Sequence, residues 1–343
     1  MQEESSSGRR NGNRKPPATI YDVARLTGVS PSTVSRALNK PGRINAKTEQ
    51  RIRDSASELG YRLNPMARAL PTGRTGTLAL VLSDITNPVY FDLIRGAEKV
   101  AANEGSTMIL AESQESAERE LETAERLLPS VDGLVLVGSR LSNDDIRRLA
   151  EVKTLVVVNR AVDGVPSISP DGEPGIHQLL DHLHLLGHRT IGYVAGPAAS
   201  WMSKVRWEIL FEQAVARGMA IVELGHAAPT RDGGAEMLPR VRASGVTAAV
   251  AYNDLMAIGL LKACREADIA VPSMLSVAGF DDIFGADITT PALTTVRSPL
   301  REIGEAAVRT LLAEVTGLDL ASEQALATRL IVRESTGRHP WST

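Results

Sequence analysis

From Thr77 onward, short apolar runs alternate with amphipathic stretches, a texture that few folds accept. The runs are TLALVLSDI (77–85), TMILAE (107–112), DGLVLVG (132–138), TLVVVN (154–159), TIGYVAG (190–196), TAAVAYN (247–253) and LSVAGFDD (275–282). Helical periodicity fills the gaps, around 90–104, 117–128, 174–187, 203–217, 254–267 and 299–315. Continuous apolar strands joined by helical crossovers predict parallel sheets covered on both faces. Seven or more such strands predict two sheets side by side with a cleft between them. In these sheets ligands gather outside the carboxyl ends of strands. Asp84 with Asn87, Asn159 with Arg160, Asn253 with Asp254, and Asp281 with Asp282 stand at such ends.

Ahead of this α/β body lies a different module. TIYDVARLTGVSPSTVSRALN, from Thr19 to Asn39, reads as two short helices around a tight turn. Val23, Ala24 and Leu26 give the first helix an apolar face. Gly28 supplies the turn. Ser30 suits an N-cap, with Pro31 at the first helical position. Val34, Ala37 and Leu38 fall on one face of the second helix. Ser32, Thr33, Ser35 and Arg36 fall on the other, groups that bond phosphates and base edges. A third helix, capped by Asn45, runs to about Leu59 before Gly60. Val23, Val29, Val34, Leu38 and Ile52 then close a small core.

Charge separates the two parts. Residues 1–75 carry 14 Lys and Arg against 6 Asp and Glu, while the remainder carries 24 against 35. A basic head on an acidic body is expected where one module holds a polyanion. The organisation predicted is a disordered basic tail (1–18), a helix-turn-helix domain (19–62), a hinge helix and linker (63–76) and a ligand-binding body of two subdomains (77–343). In the linker, Asn64 and Pro65 open a helix too short to be stable alone. Leu70 near its end is a wedge candidate for a minor-groove base step.

Other classes find little support. There is no secretory signal and no apolar run long enough to span a membrane, so a cytoplasmic protein is expected. The single cysteine, Cys264, has no disulfide partner and is expected to be buried. No GxSxG, GxxxxGK or HExxH motif occurs. His182, His184 and His188 lack a further ligand, so neither metal nor cofactor is expected.

TIYDVARLTGVSPSTVSRALN, ELGYRLNPMARAL, VDGLVLVG, LGHRTIGYVAGP, YNDLMAIG, LSVAGFDD and PALTTV together resemble the LacI/GalR transcriptional regulators, in order as well as in wording. The resemblance runs from about Thr19 to Arg338. It implies a helix-turn-helix head and a body like a periplasmic sugar-binding protein. Ser32 and Arg36 would read bases in the major groove. Thr19, Ser30, Thr33, Ser35 and Asn39 would touch backbone or bases, Pro31 would make an apolar contact, and Asn64, Ala67 and Leu70 would act from the hinge. Arg206, Asn253 and Asp281 would grip an effector, with Phe91, Trp201 and Asn159 on the pocket wall. Ile209 stands where the family pattern has glycine, and with Trp207 puts bulk beside Arg206.

The function implied is an operator-binding repressor controlled by a small carbohydrate. A palindromic DNA site would be met by a homodimer, since the chain ends without the heptad tail of tetrameric members. The alternatives are a corepressed regulator answering to a purine or a protein, a sugar-processing enzyme, and a solute receptor with an unrelated head.

Overall fold

The computed structural model describes residues 18–39, 42–61, 74–318 and 326–338. The chain divides into two compact units, Met1–Thr75 and Gly76–Thr343.

In the first unit, α1 (Ile20–Thr27), α2 (Pro31–Asn39) and α3 (Ala46–Glu58) form a three-helix module. Val23, Ala24, Val34, Ala37, Ile52 and Ala56 are its buried core. Val29 and Leu38 pack against them, partly buried, as the periodicity predicts. Leu26 does not join the core: it is 52% exposed, and Thr27 is buried in its place. At about 100° per residue, Thr27 falls between the directions of Val23 and Ala24, whereas Leu26 falls outside them. Burial of Thr27 is tolerated because its hydroxyl donates to the Val23 carbonyl at 2.7 Å. Gly28 ends α1 at φ 67°, a left-handed backbone that side chains with a Cβ resist.

The second unit holds two sheets with the same winding. Strands β1 (Thr77–Leu82), β2 (Thr107–Glu112), β3 (Gly133–Val137), β4 (Leu155–Val158) and β5 (Ser167–Ile168) make the N-terminal lobe in the order β2-β1-β3-β4-β5, all parallel. Strands β6 (Thr190–Ala195), β7 (Ala220–His226), β8 (Ala248–Ala251), β9 (Ser276–Asp281), β10 (Thr294–Arg297) and β11 (Arg329–Ile331) make the C-terminal lobe in the order β11-β10-β9-β8-β6-β7. Only the β10–β11 pair is antiparallel among the described strands. Edge strands β2 and β7 are largely exposed, in contrast to the buried central strands. That exposure dilutes the apolar pattern of β7, which the sequence does not mark as a strand.

Helices cover both faces of each sheet. In the N-terminal lobe, α4 (Tyr90–Asn103) lies on one face and α5 (Ala117–Leu127) with α6 (Asn143–Val152) on the other. In the C-terminal lobe, α7 (Glu173–Leu185) and α8 (Trp201–Ala216) oppose α9 (Arg231–Glu236), α10 (Leu238–Ser244) and α11 (Asp254–Glu266). Several helices start on a side-chain cap just past a strand: Ser116, Ser142, Ser200 and Asn253 each accept a backbone N–H of the first turn. Each such cap contributes about 1 kcal/mol.

The chain then crosses back. Helix α12 (Leu300–Thr316) follows β10 of the C-terminal lobe, yet Ile303, Ala307, Val308 and Leu311 pack into the N-terminal lobe beside Leu78 and Leu80. Two glycines let α12 seat against α4. A Cβ on Gly304 would stand 2.1 Å from the Leu93 carbonyl oxygen, and one on Gly96 would stand 2.0 Å from that of Arg301. Both contacts are with backbone, which cannot rotate away. Gly304→Val is therefore expected to cost the body about 3 kcal/mol or more. Urea denaturation followed by far-UV circular dichroism checks this; an unmoved midpoint would contradict the packing described.

Candidate functional site

In the head, α2 separates a buried face from a polar one. Val34 and Ala37 are fully buried; Ser32 and Arg36 are exposed and lie one turn apart. Thr33 and Ser35 flank them, half-buried. Ser30 caps the helix by accepting the Thr33 N–H at 3.2 Å, and its hydroxyl also meets those of Ser32 and Thr33 at 2.9 and 2.8 Å. Thr19, at the start of α1, gives its backbone N–H and its hydroxyl to Asp22. Those two bonds hold the Asp22 carboxyl below its usual range. Asn39 closes α2. Asn64, Ala67 and Leu70 lie outside the described residues.

In the body, strand ends of the two lobes face one cavity. From the N-terminal lobe come Tyr90, Glu115, Ser139, Arg140 and Asn159. From the C-terminal lobe come Trp201, Arg206, Tyr252, Asn253 and Asp281. The cavity thus sits at the carboxyl ends of parallel strands, where this architecture places ligands.

At its C-terminal wall Arg206 reaches from α8 to the end of β9. Its guanidinium donates to Asp281 Oδ1 at 2.7 Å and to the Tyr252 carbonyl. The Arg206 Cζ also lies 4.5 and 5.1 Å from the ring centroids of Phe280 and Tyr252. Desolvation opposes the Arg206 charge, but the Asp281 carboxylate and the Tyr252 and Tyr193 hydroxyls outweigh it and raise the pKa. Trp207 does not displace the arginine: it turns off the cavity face and stacks on Tyr193 at 6.0 Å. Ile209 packs against the C-terminal lobe core.

Asn253 is first a helix cap. Its Oδ1 accepts the Met256 N–H at 2.9 Å and its Nδ2 donates to the Pro229 carbonyl at 3.0 Å. One amide proton and one lone pair remain for another partner. Asp254, beside it, is fully buried and takes the Thr295 hydroxyl and the Ile283 N–H at 2.6 and 2.9 Å. Those bonds brace the turn that carries Asp281. Desolvation, then the nearby Asp281 charge, push the Asp254 carboxyl well above its ordinary range.

Phe91 is not on the cavity wall. It is 46% exposed, and Tyr90 is the neighbour that lines the space. The buried side of α4 passes through Tyr90, Leu93 and Ala97, and Phe91 points about 100° away from Tyr90. Sequence reasoning also missed Glu115, Ser139 and Arg140. The signal was present, since both sites follow apolar runs, TMILAE and DGLVLVG, at the positions where polar residues were sought elsewhere.

His188 is buried and holds Thr247, Ser276 and the Gly337 carbonyl, and His182 bonds Thr336. No group of three or more potential metal ligands occurs among the described residues.

Two family descriptions match the chain: bacterial regulatory proteins of the lacI family over residues 19–64, and a periplasmic binding protein-like domain over residues 180–336. The HTH-type transcriptional repressor CytR of Escherichia coli (strain K12) is 30% identical over 339 residues, covering 94% of this chain and 97% of CytR. The chain belongs to the LacI family. It is a DNA-binding transcriptional regulator with a periplasmic-binding-protein-like body. The crystal structure of the lac repressor dimer bound to operator and the anti-inducer ONPF superposes with a TM-score of 0.83 at 25% identity, covering 94% of this chain and all of that one. A complex of the transcriptional regulator CelR with cellobiose gives 0.68 at 29% identity, covering 93% and 99%. Among the described residues no helix is long and apolar enough to cross a membrane.

Proposed function

We propose that this regulator is a cytoplasmic, non-enzymatic homodimeric repressor that loses its operator when a carbohydrate occupies the cleft of its body. The observation that carries the reading is the Arg206–Asp281 pair, buried at the strand ends of one lobe and turned toward the other. A guanidinium and a carboxylate side by side give a donor and an acceptor for adjacent hydroxyls of a sugar. Asn253 and Asn159 add amide contacts, and Trp201 offers a face to the apolar side of the ring. The solved complex of CelR with cellobiose supports a sugar in this class of body.

The DNA side is carried by α2. Ser32 and Arg36 read the major groove, while Thr19, Ser30, Thr33, Ser35 and Asn39 hold phosphates or base edges. Asn64, Ala67 and Leu70 act in the minor groove of a palindromic site. A ligand that binds one lobe arrangement better than the other shifts the body toward it and so changes the fit of a paired head to the operator.

Capture of genomic fragments on the immobilised full-length protein tests this. Specific fragments are expected to stay bound in low salt and to leave when the matching neutral sugar is added from a panel of pentoses, hexoses and disaccharides. Release by no sugar, with retention that tightens when a purine is added, would replace the carbohydrate reading by the corepressor-type alternative.

A further inference from the structure

The cleft carries a second buried ion pair that the family resemblance did not bring forward. Arg140, three residues past the end of β3, directs Nε and Nη2 to Glu115 Oε2 at 2.8 and 2.6 Å. Its Nη1 donates to the Gly138 carbonyl at 2.9 Å. The Arg140 side chain is only 6% exposed, whereas Glu115 keeps 26%. The pair belongs to the N-terminal lobe and lines the same cavity as Arg206 and Asp281.

The two pairs share a hydrogen-bonding pattern. In each, one carboxylate oxygen takes all the arginine contacts: Oε2 of Glu115 and Oδ1 of Asp281. Glu115 Oε1 and Asp281 Oδ2 accept no hydrogen bond among the described residues. Both carboxylates stand on left-handed backbone, Glu115 at φ 59° and Asp281 at φ 105°. Such conformations are unfavourable for residues with a Cβ and persist where the surroundings hold them, often at functional sites. Each lobe therefore presents to the cavity an anchored carboxylate with an unused oxygen. Each guanidinium is ion-paired with its carboxylate, and the four charges cancel.

We infer that the Glu115–Arg140 pair is a specificity-determining element of the cleft, which together with Arg206–Asp281 selects an uncharged, polyhydroxylated effector and rejects its phosphorylated form. The inference rests on the cleft being the effector site. Unused carboxylate oxygens require a donor, and sugar hydroxyls supply one. A phosphate dianion brings acceptors only and would face two carboxylates with no uncommitted cation. Like-charge juxtaposition of that kind costs several kcal/mol, so discrimination of about 100-fold or more is expected. Asn87 and Asn159 supply donors for the remaining ligand oxygens.

Calorimetry on the full chain with inorganic phosphate tests the exclusion. The basic head contributes equally to wild type and variants, so differences isolate the cleft. Glu115→Gln releases Arg140 from its counter-charge and is expected to gain a saturable phosphate site at least about tenfold tighter than any in wild type. Adding Arg140→Gln to that variant is expected to remove the site. No gain in a folded Glu115→Gln chain would overturn the inference. So would a wild-type phosphate site that Arg140→Gln abolishes. Should Glu115→Gln fail to fold, each neutral sugar of the panel is compared with its phosphate ester on wild type, and preference for the ester overturns the inference. The last two of these failures leave a ligand in the cleft, and the first leaves release of DNA by a neutral sugar intact. Failure of the cleft reading itself looks different: no sugar releases DNA, while phosphate exclusion still responds to Glu115→Gln.

Discussion

Replacing Arg36 by alanine is expected to cost the protein its preference for a specific operator while leaving weak binding to any duplex. Arg36 is exposed on α2, one turn from Ser32, and takes no part in the three-helix core. Its loss therefore leaves the head folded. A guanidinium placed against guanine O6 and N7 contributes about 1–3 kcal/mol of discrimination, or roughly 5- to 150-fold. Phosphate contacts from the rest of the basic head are insensitive to sequence and survive the change. Fluorescence anisotropy on a captured genomic fragment and a scrambled duplex, at matched salt, separates the two effects. An equal loss on both duplexes would make Arg36 a phosphate ligand instead.

The second large effect is expected at the Arg206–Asp281 pair. Both side chains are about 10% exposed, so removing one strands the other in a poorly solvated site. Asp281→Ala and Arg206→Ala are each expected to destabilise the body by about 3–5 kcal/mol, and both to abolish the response to sugar. Because each single change already breaks the pair, the double variant should lose much less than the sum of the two. Asp281→Asn keeps an oxygen for the Arg206 bond, and asparagine is among the residues that best accept positive φ. It should cost less stability while still weakening the effector response. Urea denaturation of the four chains checks the cycle. Strict additivity would contradict a coupled buried pair.

Much of this architecture could be read from residues alone because its central strands are dense in Leu and Val and several of its helices begin at Ser or Asn. Runs such as TLALVL and GLVLV admit few other interpretations. Edge strand β7 escaped because Glu223 and Gly225 break its apolar pattern and only Leu224 in it is buried. The crossing of α12 back to the N-terminal lobe escaped for a different reason. Periodicity marks the buried face of a helix but not which sheet buries it, and the Gly96–Gly304 approach that settles the matter is a tertiary contact.

The candidate site shows the same division. Asp281 was legible at a strand end and Arg206 through the LacI/GalR resemblance, yet their mutual bond was not, nor the rings of Phe280 and Tyr252 beside it. Phe91 and Tyr90 are adjacent aromatics, and only the helix orientation decides which faces the cavity. Glu115 sits three residues past the end of β2 on a left-handed backbone that no local residue pattern announces.

Titrating a labelled operator fragment with the full-length protein, with and without a saturating neutral sugar, measures the central coupling between cleft and head. Operator affinity is expected to fall by at least about tenfold when the sugar is present, the lower range of allosteric coupling, and to fall less in Asp281→Asn at the same sugar concentration. Equal operator affinity in wild type with a sugar demonstrably bound in the cleft would contradict the account.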